Sequence, residues 1–223
     1  MPDQPLQVAI VDHSLGNLYS VKHACAHVGL QAEITSSKTA IANARAVILP
    51  GVGAYGDAMA TLRRLDLISV LRDIAASDKP LIGICLGIQL LMTESYEFGR
   101  HQGLGIIDGP VIRFDHPIEH ERALKVPQIG WNRIAGTGRS WADTLIAGVA
   151  EREYMYFVHS FIAQPQDPGV MLSTSCYGNI EFCSSLQRGN VFACQFHPER
   201  SGAQGLKVYR NLARLITPTR EDS

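Results

Sequence analysis

Apolar and polar positions in the first part of the chain follow two different spacings in turn. Gln7 to Val11, Ala32 to Thr35, Ala46 to Leu49 and Leu81 to Ile84 read as strands, and the last, a short apolar run rich in β-branched residues, as a buried parallel strand. Between them, apolar residues recur at helical spacing. Leu18, Val21, Cys25 and Val28 share one face, and Gly29 stands where a C-cap is expected. Ser37 caps a short helix running to Ala44, and a further helix is built around Met59 and Leu62. Asp66 is placed to cap a helix carrying Leu67, Ile68, Leu71 and Ile74, and another helix runs from Ile88 through Leu91. Strand and helix in alternation predict a parallel, doubly wound sheet, with ligands bound beyond the carboxyl ends of the strands.

Beyond Glu94 the pattern changes. Gly103, Gly105 and Gly109 punctuate a stretch of turns and short strands. Val111–Phe114, Trp131–Ile134, Tyr154–Val158, Val170–Cys176, Ile180–Leu186 and Val191–Phe196 read as strands, with Arg188-Gly189-Asn190 as a hairpin turn. Gly205 to Ile216 reads as a closing helix with Leu206, Tyr209, Leu212 and Ile216 inward. The fold class is therefore α/β: one domain over residues 1–223, an open, mostly parallel sheet flanked by helices, with added antiparallel strands. Tails of about 1–5 and 217–223 are expected to fray.

Composition narrows the function classes. Charged residues make up 18% and hydrophobic residues 46%, with a net charge of −1, so neither a nucleic-acid footprint nor a polybasic membrane patch is present. The apolar run Leu81–Met92 is too short to span a bilayer, and the first five residues carry no signal-peptide pattern. Five cysteines without a Cys-x-x-Cys pair speak against a disulfide framework or a structural zinc site. A cytoplasmic protein is expected.

The chemistry centres on Gly83-Ile84-Cys85-Leu86-Gly87, the cysteine form of a nucleophile elbow between strand and helix. The glycines allow close backbone passage, the helix start favours thiolate, and the Leu86 N–H is placed to hold an oxyanion. Taken alone, Cys85 could equally be a small buried core residue. A partner is supplied by His197-Pro198-Glu199 at the end of a strand. Residues two apart share a face of an extended chain, which sets the imidazole beside a carboxylate. His159 competes as the base but has no adjacent carboxylate, and belongs rather to a binding wall. Gly51 to Gly56 matches Gly-x-Gly-x-x-Gly, read as a dinucleotide fingerprint, as a turn into a helix, or as a loop aiming its N–H groups at the site. His116 and His120 have metal-ligand spacing, but Pro117 disfavours a helix there and no third ligand is near.

Gly83-Ile84-Cys85-Leu86-Gly87-Ile88-Gln89 together with Gln195-Phe196-His197-Pro198-Glu199 resembles the signature of the class I glutamine amidotransferases. Gly16-Asn17-Leu18, Pro50-Gly51-Val52-Gly53, Val126 to Asn132 and Tyr156 to Ser160 extend the resemblance from about Val8 to about Leu215. They place it in the branch that docks on a (β/α)8-barrel cyclase of histidine biosynthesis. The resemblance implies that Cys85 attacks the side-chain amide of glutamine and that His197, oriented by Glu199, shuttles protons. Gly51, Val52 and Gly53 fall on the family's oxyanion strand. Gln89, Glu97, His159, Ser160 and Phe161 fall where glutamine is contacted. Pro127, Gln128, Ile129, Gly130, Trp131, Asn132 and Arg200 fall on the partner interface, and ammonia passes to the barrel. No cofactor and no metal is implied. The chain departs from the family pattern at Asp12-His13-Ser14, at Gln128 where His is usual, and at Arg200 where Lys is usual. A related barrel partner that amidates a surface-polysaccharide sugar is the alternative.

Overall fold

The computed structural model describes residues 7–14 and 16–217. Leu15 and the expected tails, apart from Thr217, lie outside that range. The chain runs β1 (Val8–Val11), α1 (Leu18–His27), β2 (Ala32–Thr35), α2 (Lys38–Asn43), β3 (Ala46–Gly51), α3 (Tyr55–Arg64), α4 (Ile68–Ala75), β4 (Leu81–Cys85) and α5 (Leu86–Leu90). It continues through β5 (Met92–Ser95), β6 (His101–Gln102), β7 (Ile107–Arg113), β8 (Ile118–Glu119), β9 (Arg122–Ala123), β10 (Gln128–Arg133), β11 (Ala135–Gly136), β12 (Tyr154–His159) and β13 (Phe161–Ala163). It closes with β14 (Met171–Tyr177), β15 (Ile180–Arg188), β16 (Val191–Cys194) and α6 (Gly202–Ile216).

Eight strands form the main sheet in the order β11-β14-β15-β16-β4-β3-β1-β2. From β2 to β16 neighbours are parallel; β15, β14 and β11 add on antiparallel. Strand parity explains the two cores. Val8 and Ile10 of β1 face one core, with Val21 and Cys25 of α1 and Val208 and Leu212 of α6. Ala9 and Val11 face the other, with Met59 and Leu62 of α3 and Leu71 of α4. Because both faces are covered, β1, β3 and β4 are buried throughout, as their unbroken apolar runs require.

Several elements differ from the sequence expectation. The helix after the elbow begins at Leu86 and spans only five residues before Met92 enters a strand. Asp66 does not cap α4. It adopts φ +53 and pairs with Lys38 Nζ at 2.6 Å, while Leu67 occupies the cap position without a side-chain bond. Part of the second half leaves the main sheet. β13, β7, β5 and β6 form a separate four-stranded sheet, and β10 and β12 form an antiparallel ribbon. Gln128 to Arg133 is thus one strand, longer than the segment expected from Trp131.

Candidate active site

The elbow sits where β4 ends at the carboxyl edge of the sheet, in register with Gly51 of β3. Cys85 has φ +55 and ψ −108, a strained backbone for a residue with a β-carbon. The neighbouring glycines make it reachable. A β-carbon on Gly87 would lie 1.9 Å from the Leu49 carbonyl oxygen, and one on Gly83 would lie 3.0 Å from Gly87 backbone. Two backbones pass where side chains cannot fit.

His197 follows β16, the parallel neighbour of β4, so adjacent strand ends bring the imidazole to the thiol. Its Nδ1 lies 2.7 Å from Glu199 Oε1, and both side chains are at most 3% exposed. The pair is closed by a tight turn, since Pro198–Arg200 is a 3-10 helix rather than extended chain. Ser201, unassigned from sequence, knits this turn to β12. Its hydroxyl donates to the His197 carbonyl at 2.7 Å and accepts from the Tyr156 N–H at 3.0 Å. His197 Nε2 is buried with no hydrogen-bond partner among the described residues. Burial alone would lower the His197 pKa. Burial is the largest single influence, but the Cys85 sulfur and the Glu199 carboxylate together outweigh it, and the pKa rises to about 10. The imidazolium is favoured wherever the sulfur is thiolate.

A cavity of about 290 Å³ opens on Cys85 and is lined by Val52, Gly53, Leu86, Gln89, Glu97, Pro127, Val158, His159, Ser160 and Phe161. The loop read as a possible dinucleotide fingerprint is therefore the rim of this cavity, while its last glycine, Gly56, lies within α3 against the His101 ring. A larger cavity, about 410 Å³, lies at the opposite end of the strands near Pro80, Asn190 and Arg214, away from the elbow.

The cavity wall is internally bonded. Glu97 Oε2 accepts from the Tyr55 N–H at 2.5 Å, placing a carboxylate on the N-terminus of α3. Gln89 Nε2 donates to the Phe161 carbonyl at 3.1 Å and to Gln195 Oε1 at 3.0 Å. His159 Nδ1 donates to the same Phe161 carbonyl at 2.9 Å, and burial pushes its pKa down to about 4. The ring is therefore neutral near pH 7. His13 is fully buried beneath the rim, and its Nε2 donates to the Pro50 carbonyl at 2.7 Å. Burial lowers its pKa too, so it holds the start of the rim as a neutral ring.

The residues expected at an interface separate by strand parity. Gln128 points inward, buried, with its carboxamide 3.0 Å from His159 Nε2, so it offers no side chain to a partner. Ile129 and Trp131 point outward, 64% and 56% exposed. Asn132 Nδ2 donates to the Cys176 carbonyl. The Arg200 guanidinium lies over the Tyr156 ring, which in turn meets Trp131 edge-on. His116 and His120 lie apart from the cavity, in the segment that carries β8 and β9. Among the described residues no cluster of three or more potential metal ligands occurs, and no helix is long and apolar enough to cross a membrane.

Fold and site together define an α/β protein with a strained cysteine at a strand end, faced by a carboxylate-bound imidazole. The chain belongs to the glutamine amidotransferase class-I family, whose model matches residues 9–214. It is 45% identical over 206 residues to imidazole glycerol phosphate synthase subunit HisH of Rhodopirellula baltica, covering 92% of this chain and 96% of that one. It is 42% identical to the subunit of the same name from Aquifex aeolicus, covering 94% and 97%. Among solved structures, PurLQS from Thermotoga maritima shares the fold with a TM-score of 0.72 at 19% identity, over 96% of this chain and 100% of that chain.

Proposed function

We propose that this chain is the glutaminase subunit of imidazole glycerol phosphate synthase. It hydrolyses L-glutamine to glutamate and passes the ammonia to a (β/α)8-barrel cyclase, which makes imidazole glycerol phosphate and aminoimidazole carboxamide ribotide in histidine biosynthesis. The chain acts as one domain, in the cytoplasm. The reading is carried by the closure of Cys85, His197 and Glu199 at adjacent parallel strand ends, in a chain that matches HisH subunits nearly end to end.

The geometry supports the following sequence of steps. Cys85 thiolate attacks the carboxamide carbon, and the oxyanion is held by the Leu86 N–H and the rim peptides of Gly51, Val52 and Gly53. His197 gives its Nε2 proton to the departing ammonia, leaving a γ-glutamyl thioester. It then takes a proton from water, whose oxygen forms the new bond to carbon as the sulfur leaves. Glu199 holds His197 in the tautomer that keeps Nε2 toward the sulfur. Gln89, Glu97, His159, Ser160 and Phe161 line the space for glutamine, and Pro127, Ile129, Trp131 and Arg200 form the outer face for the barrel.

The test is glutamate release from glutamine by the subunit alone, then with the barrel cyclase and its ribonucleotide acceptor. A large rise with both, abolished by Cys85→Ala, is expected. Release that survives Cys85→Ala removes the nucleophile assignment, and release unchanged by the cyclase removes the partner.

A further inference from the structure

Gln195 stands two residues before His197 and is fully buried, yet lies directly against the nucleophile. Its Nε2 is 3.8 Å from Cys85 Sγ. Which end of the amide faces the sulfur follows from its neighbours. The Phe161 carbonyl can only accept, so the nitrogen of Gln89 must be the atom 3.1 Å from it. That same nitrogen lies 3.0 Å from the Gln195 side chain, which must therefore present its oxygen. The Gln195 NH2 is left aimed at the sulfur. Both amide hydrogens of Gln89 are used in fixing this orientation.

The sulfur has a second polar neighbour, the Val158 carbonyl, also at 3.8 Å. A carbonyl suits the thiol, which donates to it, and disfavours the thiolate. An N–H suits the thiolate, which is costly to bury without a donor. The structure assigns Gln195 as a further catalytic residue: its amide N–H donates to the Cys85 sulfur and stabilises the attacking thiolate, with Gln89 holding the amide in that orientation. This rests on Cys85 being the nucleophile.

The experiment is alkylation of the full chain by iodoacetamide at pH 7, in which the Cys85 sulfur bonds to carbon and iodide leaves. Modified peptides are followed by mass spectrometry, with exposed Cys176 as the internal reference. Gln195→Met, with Gln195→Leu as a second variant, removes the donor without adding a charge. In each, the Cys85-to-Cys176 rate ratio is expected to fall about tenfold, the scale of one hydrogen bond to a charged group. The glutaminase kcat falls by a similar factor. A folded variant, shown by circular dichroism and an unchanged thermal midpoint, whose alkylation ratio stays at the wild-type value overturns the assignment. Glutamate release that survives Cys85→Ala removes the nucleophile reading itself. Release abolished by Cys85→Ala, with the ratio unchanged in the Gln195 variants, removes only the role of Gln195.

Discussion

The neutral His159 makes folding stability depend on pH with a calculable size. Its ring is enclosed by Phe114 at 5.0 Å, Phe182 at 5.1 Å and Phe157 at 5.7 Å between centroids. Burial dominates, the Phe161 hydrogen bond opposes it, and the charge on His197 adds to it, leaving the pKa at about 4. Unfolded, the ring titrates near ~6.5. Between those values the unfolded chain binds a proton that the folded chain refuses. Stability from this group is therefore fully present above the unfolded value and falls as pH drops toward 4. Integrating the two titrations from pH 7 to pH 5 gives a loss of about 2 kcal/mol. His197 has the opposite sign. Its raised pKa contributes stability that is complete below the unfolded value and is lost through about 10, so from pH 7 to pH 5 it offsets about 1 kcal/mol of the loss, in wild type and variant alike. His13, also lowered by burial, adds in the same direction as His159, which is why the comparison must be with a variant. Urea denaturation of wild type and His159→Phe at pH 7 and pH 5 isolates the term. The variant starts less stable, because Gln128 loses its buried partner, but its loss on acidification should be smaller by about 2 kcal/mol. An equal loss in both proteins would refute the reasoning.

The remaining predictions concern the nucleophile, its base and the outer ribbon. Glu199→Gln removes the charge 2.7 Å from His197 Nδ1 and should lower glutaminase kcat about a thousandfold with little change in KM, read by steady-state kinetics. Gly87→Ala drives a β-carbon into the Leu49 carbonyl and should destabilise the protein by at least ~3 kcal/mol in chemical denaturation, or prevent soluble expression. Trp131→Ala removes an outward aromatic that little else in the chain covers. It should weaken cyclase binding by about 2 kcal/mol in calorimetry while leaving the thermal midpoint of the free subunit within a few degrees.

What the sequence disclosed follows from how local each signal is. The apolar run at Leu81–Ile84 announced a buried strand, and the glycines around Cys85 announced the elbow. The pairing of His197 with Glu199 was legible from two residues of spacing, although a 3-10 turn achieves it. Other features depend on partners distant in sequence. The apolar stretch Leu86–Met92 has no period that separates helix from strand. Met92 turns to strand because it pairs with Ile107 in the second sheet. Gln128 reads as the start of an interface segment until β12 is placed beside it in register, with His159 opposite. Asp66 looks like a helix cap only until Lys38, at the start of neighbouring α2, reaches it. Gln195 was open to the same two-residue rule that linked His197 to Glu199, applied in the other direction. Ser201 carries no signal without the ribbon it joins.

The backbone at Cys85 sets conformation against chemistry in the course of descent. A φ of +55 with a β-carbon costs roughly 1–3 kcal/mol, and glycine is the residue that relieves it most completely. Glycine is also one nucleotide from either cysteine codon, and it deletes the sulfur. Relaxation of the main chain at this position thus leads toward a folded, inert protein that retains the cavity and the outer ribbon. A lineage freed from the need to hydrolyse glutamine should lose its nucleophile early and keep its shape.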